Sequence, residues 1–438
     1  MTHTMDAATT EGRRGPEATR RWCVFVLAAL IASAGCVARA NGSSAAAPLA
    51  IPTPDSSGLL AERRLAALHD SARAAWTRYI DTSRRMRQRD QDSMSAELRA
   101  IGRERMVAAP DVRENWRMTG AMTEAWFATD SARRLAEAIL SYQTPSGGWS
   151  KHMDLAKGPR PPGTSWFSET DRWAYIGTLD NGSTTEHIRF LARAFGATGD
   201  ARHRDAVLRG LEYLIVAQMP TGCWPQVFPL DGGYRDAATF NDDAIVNALK
   251  VLRDVGRGDR FGFGFVPADL RARAAASLAR GIDCLVDNQV VVNGVRTAWG
   301  QQHDPLTRMP IGARTYEHAS LSGRESAGIA EFLMSLPDPD ARVVRAVHAV
   351  ADWFEATAIR DLAYDYGKGL RREPGAGPIW ARMVEIGTNR PIFSNRDGVI
   401  LYDYEQLTDR RTGYGWFGTE PADALRRYER WAPRHPRT

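Results

Sequence analysis

Apolar residues recur along most of the chain at intervals of three and four, with polar residues between them. Side chains at these intervals lie on one face of a helix, so the pattern predicts amphipathic helices that each bury one side. The predicted helices are Asp130–Tyr142, Ser183–Ala197, Arg202–Gln218, Asp242–Val255, Ala268–Asp287, Ser322–Leu336 and Ala341–Ala358. The last six form consecutive pairs, which indicates helical hairpins.

The segment before these helices, residues 58–130, is charged and also follows a helical pattern. Leu65, Trp76 and Tyr79 are among its apolar residues near 3.6-residue spacing, which predicts an N-terminal pair of helices. Strand signals are confined to short stretches. The best is Val290–Thr297, where Asn-Gly between valines is typical of a β-hairpin. The predicted fold class is therefore all-α, with small β additions in the loops.

An internal repeat runs through the helical region. Trp149, Trp224 and Trp299 recur every 75 residues, and the first two follow similar segments, Gln143-Thr-Pro-Ser-Gly-Gly and Gln218-Met-Pro-Thr-Gly-Cys. Pro and Gly at the end of each helical pattern stop the helix, so the repeating unit is a hairpin plus a loop. Repeats stacked in register would gather these loops, and their polar side chains, in one cleft.

Composition restricts the class of protein. The chain has 438 residues, 43% hydrophobic and 25% charged, as in ordinary globular proteins, and the repeat favours one large helical domain over residues 131–438. The net charge of +5 is carried almost wholly by arginine and is compatible with an acidic ligand. We expect a monomer that binds no nucleic acid.

The N-terminus has the pattern of a bacterial export signal, predicted at residues 1–40. Arg20 and Arg21 precede an apolar run from Cys23 to about Ala38 that is too short to span a bilayer. Cleavage after Ala40 is the first alternative, and lipid anchoring at Cys36 is the second. Residues 41–57, rich in Ala, Ser and Pro, are predicted as a linker. The mature protein is expected to be secreted or periplasmic, without a membrane span.

Two cysteines remain after the predicted signal, Cys223 and Cys284. Their spacing matches no metal site and no redox motif. An oxidising compartment would permit a disulfide between them, but the sequence leaves that bond open.

Oxygen-bearing side chains precede two of the predicted helices, in Leu179-Asp180-Asn181-Gly182 and Phe240-Asn241-Asp242-Asp243. Helix N-capping is the simplest interpretation of either motif alone. However, both stand at equivalent positions of successive repeats, and together they offer three carboxylates and two amide oxygens. These ligands suit Ca²⁺ better than Zn²⁺.

At the matching position of the third repeat, an arginine, Arg314, replaces the acidic residues. Arg382, Arg390 and Arg396 follow among aromatic residues in the segment 378–398. Arginine beside aromatic rings suits a sugar that carries a carboxylate. A structural ion pair or a solvated surface role is an equal alternative for each of them.

Seven motifs in fixed order resemble the pectate lyases of polysaccharide lyase family 10, over about residues 131–404. They are Gly-Gly-Trp-Ser-Lys, Leu-Asp-Asn-Gly-Ser-Thr, Phe-Asn-Asp-Asp-Ala, Trp-Gly-Gln-Gln-His-Asp-Pro-Leu-Thr, Arg-Thr-Tyr-Glu, Ser-Leu-Ser-Gly-x-Glu-Ser and Thr-Asn-Arg-Pro-Ile-Phe-Ser-Asn-Arg-Asp-Gly. The resemblance implies an (α/α)₃ toroid with a wide groove, and Ca²⁺-assisted anti β-elimination of polygalacturonate to unsaturated oligogalacturonates.

The resemblance also implies roles for particular residues. Asp180, Asn181 and Asp242 match the family's metal-binding and acidic-site positions. Asp180 is also a candidate catalytic residue. The role of Asp243 stays open. The proposed base matches Arg314. The substrate-binding positions are matched by Lys151, Arg382, Arg390 and Arg396. Because guanidinium has a pKa above about 12, an arginine base predicts an alkaline optimum.

Two other functions are compatible with these residues. One is elimination on another uronate polysaccharide, and the other is an exported protein that binds pectin without cleaving it. A binding protein would not need both Arg314 and Asp242, so the pair favours catalysis. A terpene-cyclase interpretation of Asp242-Asp243 is weaker, because no third acidic residue follows at helical spacing.

Overall fold

Helices form most of the architecture. The computed structural model of the protein describes residues 58–112, 116–168 and 176–437, so the predicted export signal and linker lie outside the described residues. The helices are α1 Glu62–Ala66, α2 Asp70–Ala100, α3 Asp130–Ser141, α4 Thr185–Thr198, α5 Ala201–Ala217, α6 Ala244–Gly256, α7 Ala268–Asp287, α8 Gly323–Met334, α9 Ala341–Thr357 and α10 Glu420–Trp431.

The loops carry short strands, all paired antiparallel. They are β1 Ala238–Thr239, β2 Val291–Val292, β3 Val295–Arg296, β4 Gln302–His303, β5 Pro310–Ile311, β6 Leu362–Asp365, β7 Gly369–Arg372, β8 Trp380–Ala381, β9 Phe393–Ser394, β10 Ile400–Leu401 and β11 Phe417–Gly418. The β2–β3 pair is the predicted Asn-Gly hairpin, with Val292 opposite Val295.

The helices are arranged in hairpins and two layers. Helix α4 packs against α5, α6 against α7, and α8 against α9. One layer contains α3, α5, α7 and α9 in successive contact, and the other contains α4, α6 and α8. This is the predicted α/α toroid architecture, and its core is continuous through both layers.

The repeated tryptophans connect each loop to the helix before it. Trp149, Trp224 and Trp299 are fully buried. Their indole Nε1 atoms donate to carbonyls in the last turns of α3, α5 and α7, at 2.8, 2.7 and 2.7 Å. A buried N–H needs an acceptor. Each of the three copies therefore has both the buried ring and the same indole hydrogen bond.

A glutamine in each repeat connects neighbouring units. The Nε2 atoms of Gln143, Gln218 and Gln289 each donate to a carbonyl of their own loop. Each also donates, at 2.9 Å, to a carbonyl of the next helix in the layer, in α5, α7 and α9 respectively. In the third repeat the β2–β3 hairpin lies between the glutamine and the tryptophan, which explains why the sequence motif is not visible there.

The predicted helices are confirmed to within three residues at each end. The N-terminal pair consists of one short helix, α1, and one of 31 residues, α2. Tyr79 on α2 donates its hydroxyl hydrogen to the Ala217 carbonyl at 2.9 Å, so α2 is packed on the repeats. Helix α10 was not predicted, because half of its residues are charged and its apolar pattern is short.

A disulfide joins Cys223 to Cys284, with Cα atoms 5.3 Å apart. This resolves the alternative that the sequence left open, and it ties the loop after α5 to α7. None of the described helices combines the length and the apolar character needed to cross a bilayer.

Candidate active site

Two short 3₁₀ turns, Asp180–Gly182 and Asn241–Asp243, lie immediately before α4 and α6 and contact each other. Asn181 and Asp242 adopt left-handed backbone conformations, with φ of 54° and 51°. Asn and Asp tolerate this region better than most residues do. The structure therefore brings together the two oxygen-rich motifs, as the repeat predicted.

The loop of each repeat holds the turn of the repeat before it. The Gln226 carbonyl accepts the Leu179 amide hydrogen at 3.0 Å, and the Gln301 carbonyl accepts those of Phe240 and Asn241, both at 2.9 Å. These bonds set the position of each turn relative to the next loop. The convergence of the site is thus a consequence of repeat stacking.

At the first turn, Lys151 Nζ lies 2.6 Å from Asp180 Oδ2. Both side chains are buried, with residue exposures of 8% and 2%. The second oxygen, Asp180 Oδ1, is buried without a hydrogen-bond partner. A buried carboxylate oxygen that lacks a donor is a costly arrangement unless a cation or a ligand completes it.

At the second turn, Asn241 connects Asp242 to Arg382. The amide Nδ2 of Asn241 donates to Asp242 Oδ2 at 2.9 Å, and its Oδ1 accepts from Arg382 Nη2 at 2.8 Å. Asp242 Oδ1 is also 3.7 Å from Arg382 Nη2. The predicted metal ligand and the predicted substrate clamp therefore lie side by side.

Arg382 is buried and surrounded by acceptors. Its Nη2 donates to Glu325 Oε1 at 3.2 Å, and the Gln301 amide, oriented with its oxygen toward Arg382, accepts from Nε at 2.7 Å. Its guanidinium also lies 4.9 Å from the Tyr414 ring centre. Burial lowers the pKa of Arg382, but the charges of Tyr414, Glu325 and Asp242 outweigh burial and raise it overall.

Arg314 is paired with a carboxylate three residues along. Its Nε donates to Glu317 Oε2 at 2.7 Å, and its Nη2 donates to Oε1. Tyr414, which also stacks on Arg382, donates its hydroxyl hydrogen to Glu317 Oε1 at 2.9 Å. Burial lowers the pKa of Arg314, but the hydrogen bonds and charge of Glu317 raise it overall. This direction is opposite to the one that a base requires.

The other two predicted arginines lie apart from this cluster. The guanidinium of Arg390, an exposed residue, lies 3.7 Å from the Tyr402 ring centre, and Arg396 forms a 3.9 Å ion pair with Asp409. Among the described residues, no hydrogen bond or ion pair joins either of them to Arg382.

Asp243 points toward α8, where a Cβ on Gly328 would come within 2.3 Å of its Oδ1. Burial raises the pKa of the Asp243 carboxyl. Close packing therefore accounts for a glycine at residue 328.

Five side chains contact the arginines in ways that the sequence did not indicate: Asn241, which was considered only as an oxygen donor for a metal, and Gln301, Glu317, Glu325 and Tyr414. The first four belong to the seven motifs that resemble the lyase family. The signal that could have identified them is the arginines themselves, because a buried arginine needs acceptors for its hydrogen bonds. Tyr414 lies beyond residue 404, where the resemblance ends, so no motif pointed to it.

The donor set fits a hard cation only in part. Asp180, Asn181 and Asp242 supply carboxylate and amide oxygens, which suit Ca²⁺, and Asp180 Oδ1 lacks a partner. No group of three His, Cys, Asp or Glu side chains in the described part of the chain could hold a metal. Because Ca²⁺ takes about six to eight oxygen ligands, these three side chains could supply only part of its coordination.

Comparisons with known proteins identify relatives of most of the chain, including the repeats from α4 to α9. A profile of the pectic acid lyase family matches residues 143–425. A mutant of a family 10 polysaccharide lyase from Cellvibrio cellulosa, in complex with trigalacturonic acid, is 33% identical, with a TM-score of 0.63 over 72% of this chain and 100% of its own. A second structure of such a lyase from the same organism gives the same identity and TM-score over 72% and 98%. Curated proteins show no significant match.

Proposed function

Because the chain belongs to the pectic acid lyases, polysaccharide lyase family 10, it is a pectate lyase, and we propose that it cleaves polygalacturonate by Ca²⁺-assisted anti β-elimination. The trigalacturonic acid bound to the Cellvibrio protein supports a substrate of this class. The observation that carries the proposal is the juxtaposition of Asp242 with the buried, rigidly held Arg382.

Asp180, Asn181 and Asp242 would hold the Ca²⁺ ion. When bound, the ion withdraws charge from a uronate carboxylate and so acidifies the neighbouring C5 hydrogen. Lys151 and Arg382 supply positive charge on either side of these oxygens. Because both are buried, their attraction for a carboxylate is weakly screened by water.

Arg382 orients the substrate. Three neighbours, Asn241, Gln301 and Glu325, accept its hydrogen bonds, and Tyr414 covers one face of the guanidinium. A guanidinium whose orientation is already determined loses little entropy when it binds a carboxylate. We therefore assign Arg382 to substrate positioning, and Arg390 and Arg396 to outer substrate contacts.

We assign the base role to Arg314. In its neutral form it would take the C5 proton; the C–H electrons form the C4–C5 double bond, and the C4–O bond breaks toward the leaving oxygen, which is protonated by solvent. Because Glu317 raises the pKa of Arg314, the neutral form is a minor species, whose fraction increases as the pH rises or if substrate binding weakens the pair.

We also propose that the enzyme acts as a monomer outside the cytoplasm. The export pattern in residues 1–40 supports the location outside the cytoplasm. Lipid anchoring at Cys36 is the alternative to release as a free protein. The Cys223–Cys284 disulfide is in keeping with an oxidising compartment.

The test is ultraviolet absorbance of polygalacturonate incubated with the purified protein at alkaline pH, with added Ca²⁺ and with a chelator. A rise that requires Ca²⁺ reports the unsaturated uronate and supports both reaction and metal. Arg314→Ala should abolish the rise, whereas Arg371→Ala, which alters a surface ion pair on β7, should not. No rise with any uronate polymer, from folded protein, would overturn the proposal.

A further inference from the structure

A cavity of about 360 Å³ opens next to the proposed catalytic cluster, on the side of α10. Its lining includes Arg382, which also belongs to that cluster, together with Arg324, Tyr364, Tyr366, Phe417 and Glu420. Its volume is within the range of small-molecule sites and can accommodate sugar units of a chain that extends past Arg382.

Arg324, the second residue of α8, is the cation in this cavity that the proposed mechanism does not use. Its Nη1 lies 3.6 Å from Asp242 Oδ1, and its Nε lies 3.7 Å from Glu420 Oε1. Both distances exceed those of ordinary hydrogen bonds. With its side chain 41% exposed, the guanidinium can turn its donors toward an incoming carboxylate.

An aromatic ring stands at the edge of the same cavity. Tyr366 follows strand β6 at the tip of the β6–β7 hairpin, and it is 70% exposed. An exposed large ring beside an arginine suits the apolar face of a sugar with a carboxylate at its edge.

The hairpin is attached to the catalytic cluster through Tyr364. The Tyr364 hydroxyl donates to the Tyr414 carbonyl at 2.6 Å, and the Tyr414 ring stacks on Arg382. The position of Tyr366 is thus set relative to the arginine that orients the substrate.

From this geometry we propose that Arg324 and Tyr366 form a further uronate-binding subsite, which holds a galacturonate unit beyond the one at Arg382. The inference rests on the proposed function for its substrate class. Glu420 is the competing anion of this subsite: it faces Arg324 when the subsite is empty, and a substrate carboxylate takes its place.

This arrangement predicts opposite effects from neighbouring substitutions. In chelator, where cleavage is suppressed, we expect Arg324→Gln to weaken polygalacturonate binding about tenfold, since it removes a charge-assisted contact. Tyr366→Ala should weaken it roughly three- to tenfold, through loss of ring stacking. Glu420→Gln should strengthen binding, because it removes the competing charge.

The measurement is calorimetric or gel-affinity binding of the full-length protein to polygalacturonate and to fully methyl-esterified pectin. Esterified pectin should respond to Tyr366→Ala but not to Arg324→Gln, because it lacks the carboxylate. The matched control is Arg371→Ala, which removes an exposed cation of the same hairpin that is paired with Asp365 and Glu373 and lies outside the cavity lining.

Wild-type binding by both Arg324→Gln and Tyr366→Ala would overturn the subsite, whatever the lyase activity. If instead the binding changes occur as expected but no unsaturated product forms in wild type, the subsite stands and the catalytic proposal fails.

Discussion

Arg314 is held by Glu317, which accepts hydrogen bonds from two of its guanidinium nitrogens and is itself almost fully buried. This pair stabilises the protonated form of the proposed base. Glu317→Gln removes the negative charge but keeps an acceptor, so the pKa of Arg314 should fall. We expect the alkaline rise of the pH–rate profile to move to lower pH by about 1 to 3 units.

The matched control is Glu405→Gln, which alters an exposed ion pair with Arg411. It should leave the profile in place. A Glu317→Gln enzyme whose profile coincides with that of wild type would show that another group titrates in catalysis.

Asp180 and Lys151 form a second buried pair. Asp180→Asn removes a proposed Ca²⁺ ligand and the carboxylate that faces Lys151. We expect the Ca²⁺ concentration for half-maximal activity to rise at least about tenfold, and the free energy of unfolding to fall by about 3 kcal/mol.

Denaturant titration of this variant and of the double variant Lys151→Met/Asp180→Asn separates the two effects. Stability should recover in the double variant, whereas the Ca²⁺ response should not. Recovery of both would argue against Asp180 as a ligand.

The disulfide between Cys223 and Cys284 links residues 61 positions apart. Closing a loop of this length restricts the unfolded chain by roughly 4 kcal/mol in the chain-entropy description. The double variant Cys223→Ala/Cys284→Ala should therefore unfold at markedly lower denaturant concentration, and reductant should affect wild type but not the variant. Equal midpoints for oxidised and reduced wild type would contradict this expectation.

Asp90 on α2 is buried and accepts a 2.6 Å hydrogen bond from Ser146 in the first repeat loop. Burial raises the pKa of Asp90 to about 6, an effect that the Ser146 bond and nearby arginines offset only in part. The stability that its neutral form provides is complete below about pH 4, where the unfolded carboxyl is protonated too, and is lost as pH rises through 6.

We therefore expect Asp90→Asn to match wild type near pH 4 and to exceed its unfolding free energy by roughly 2 to 3 kcal/mol above pH 7. Thermal or urea unfolding at both pH values measures the difference. A gain of the same size at both would mean that ionisation of Asp90 is not its cause.

The amino-acid sequence by itself determined the helical class, the bounds of the repeat helices and the β2–β3 hairpin. Local physics is sufficient for these features, because apolar spacing selects the buried face and Pro, Gly and Asn-Gly place the turns. The repeat of Trp149, Trp224 and Trp299 also predicted that the polar loops converge, since stacked copies place equivalent loops at one end.

The contacts between side chains from different repeats were decided only by the tertiary structure. The burial of Arg382 among Asn241 and Glu325 depends on residues brought together across the stacked repeats. The effect of Glu317 on the pKa of Arg314 joins residues only three positions apart, but its size depends on how deeply the fold buries the pair. Charge interactions fall steeply with distance and depend on burial. The spacing of residues along the chain gives neither the distance between charged groups nor their burial. The partners of the arginines, the cavity lined by Arg324 and Tyr366, and the Cys223–Cys284 disulfide were therefore visible only in the tertiary structure.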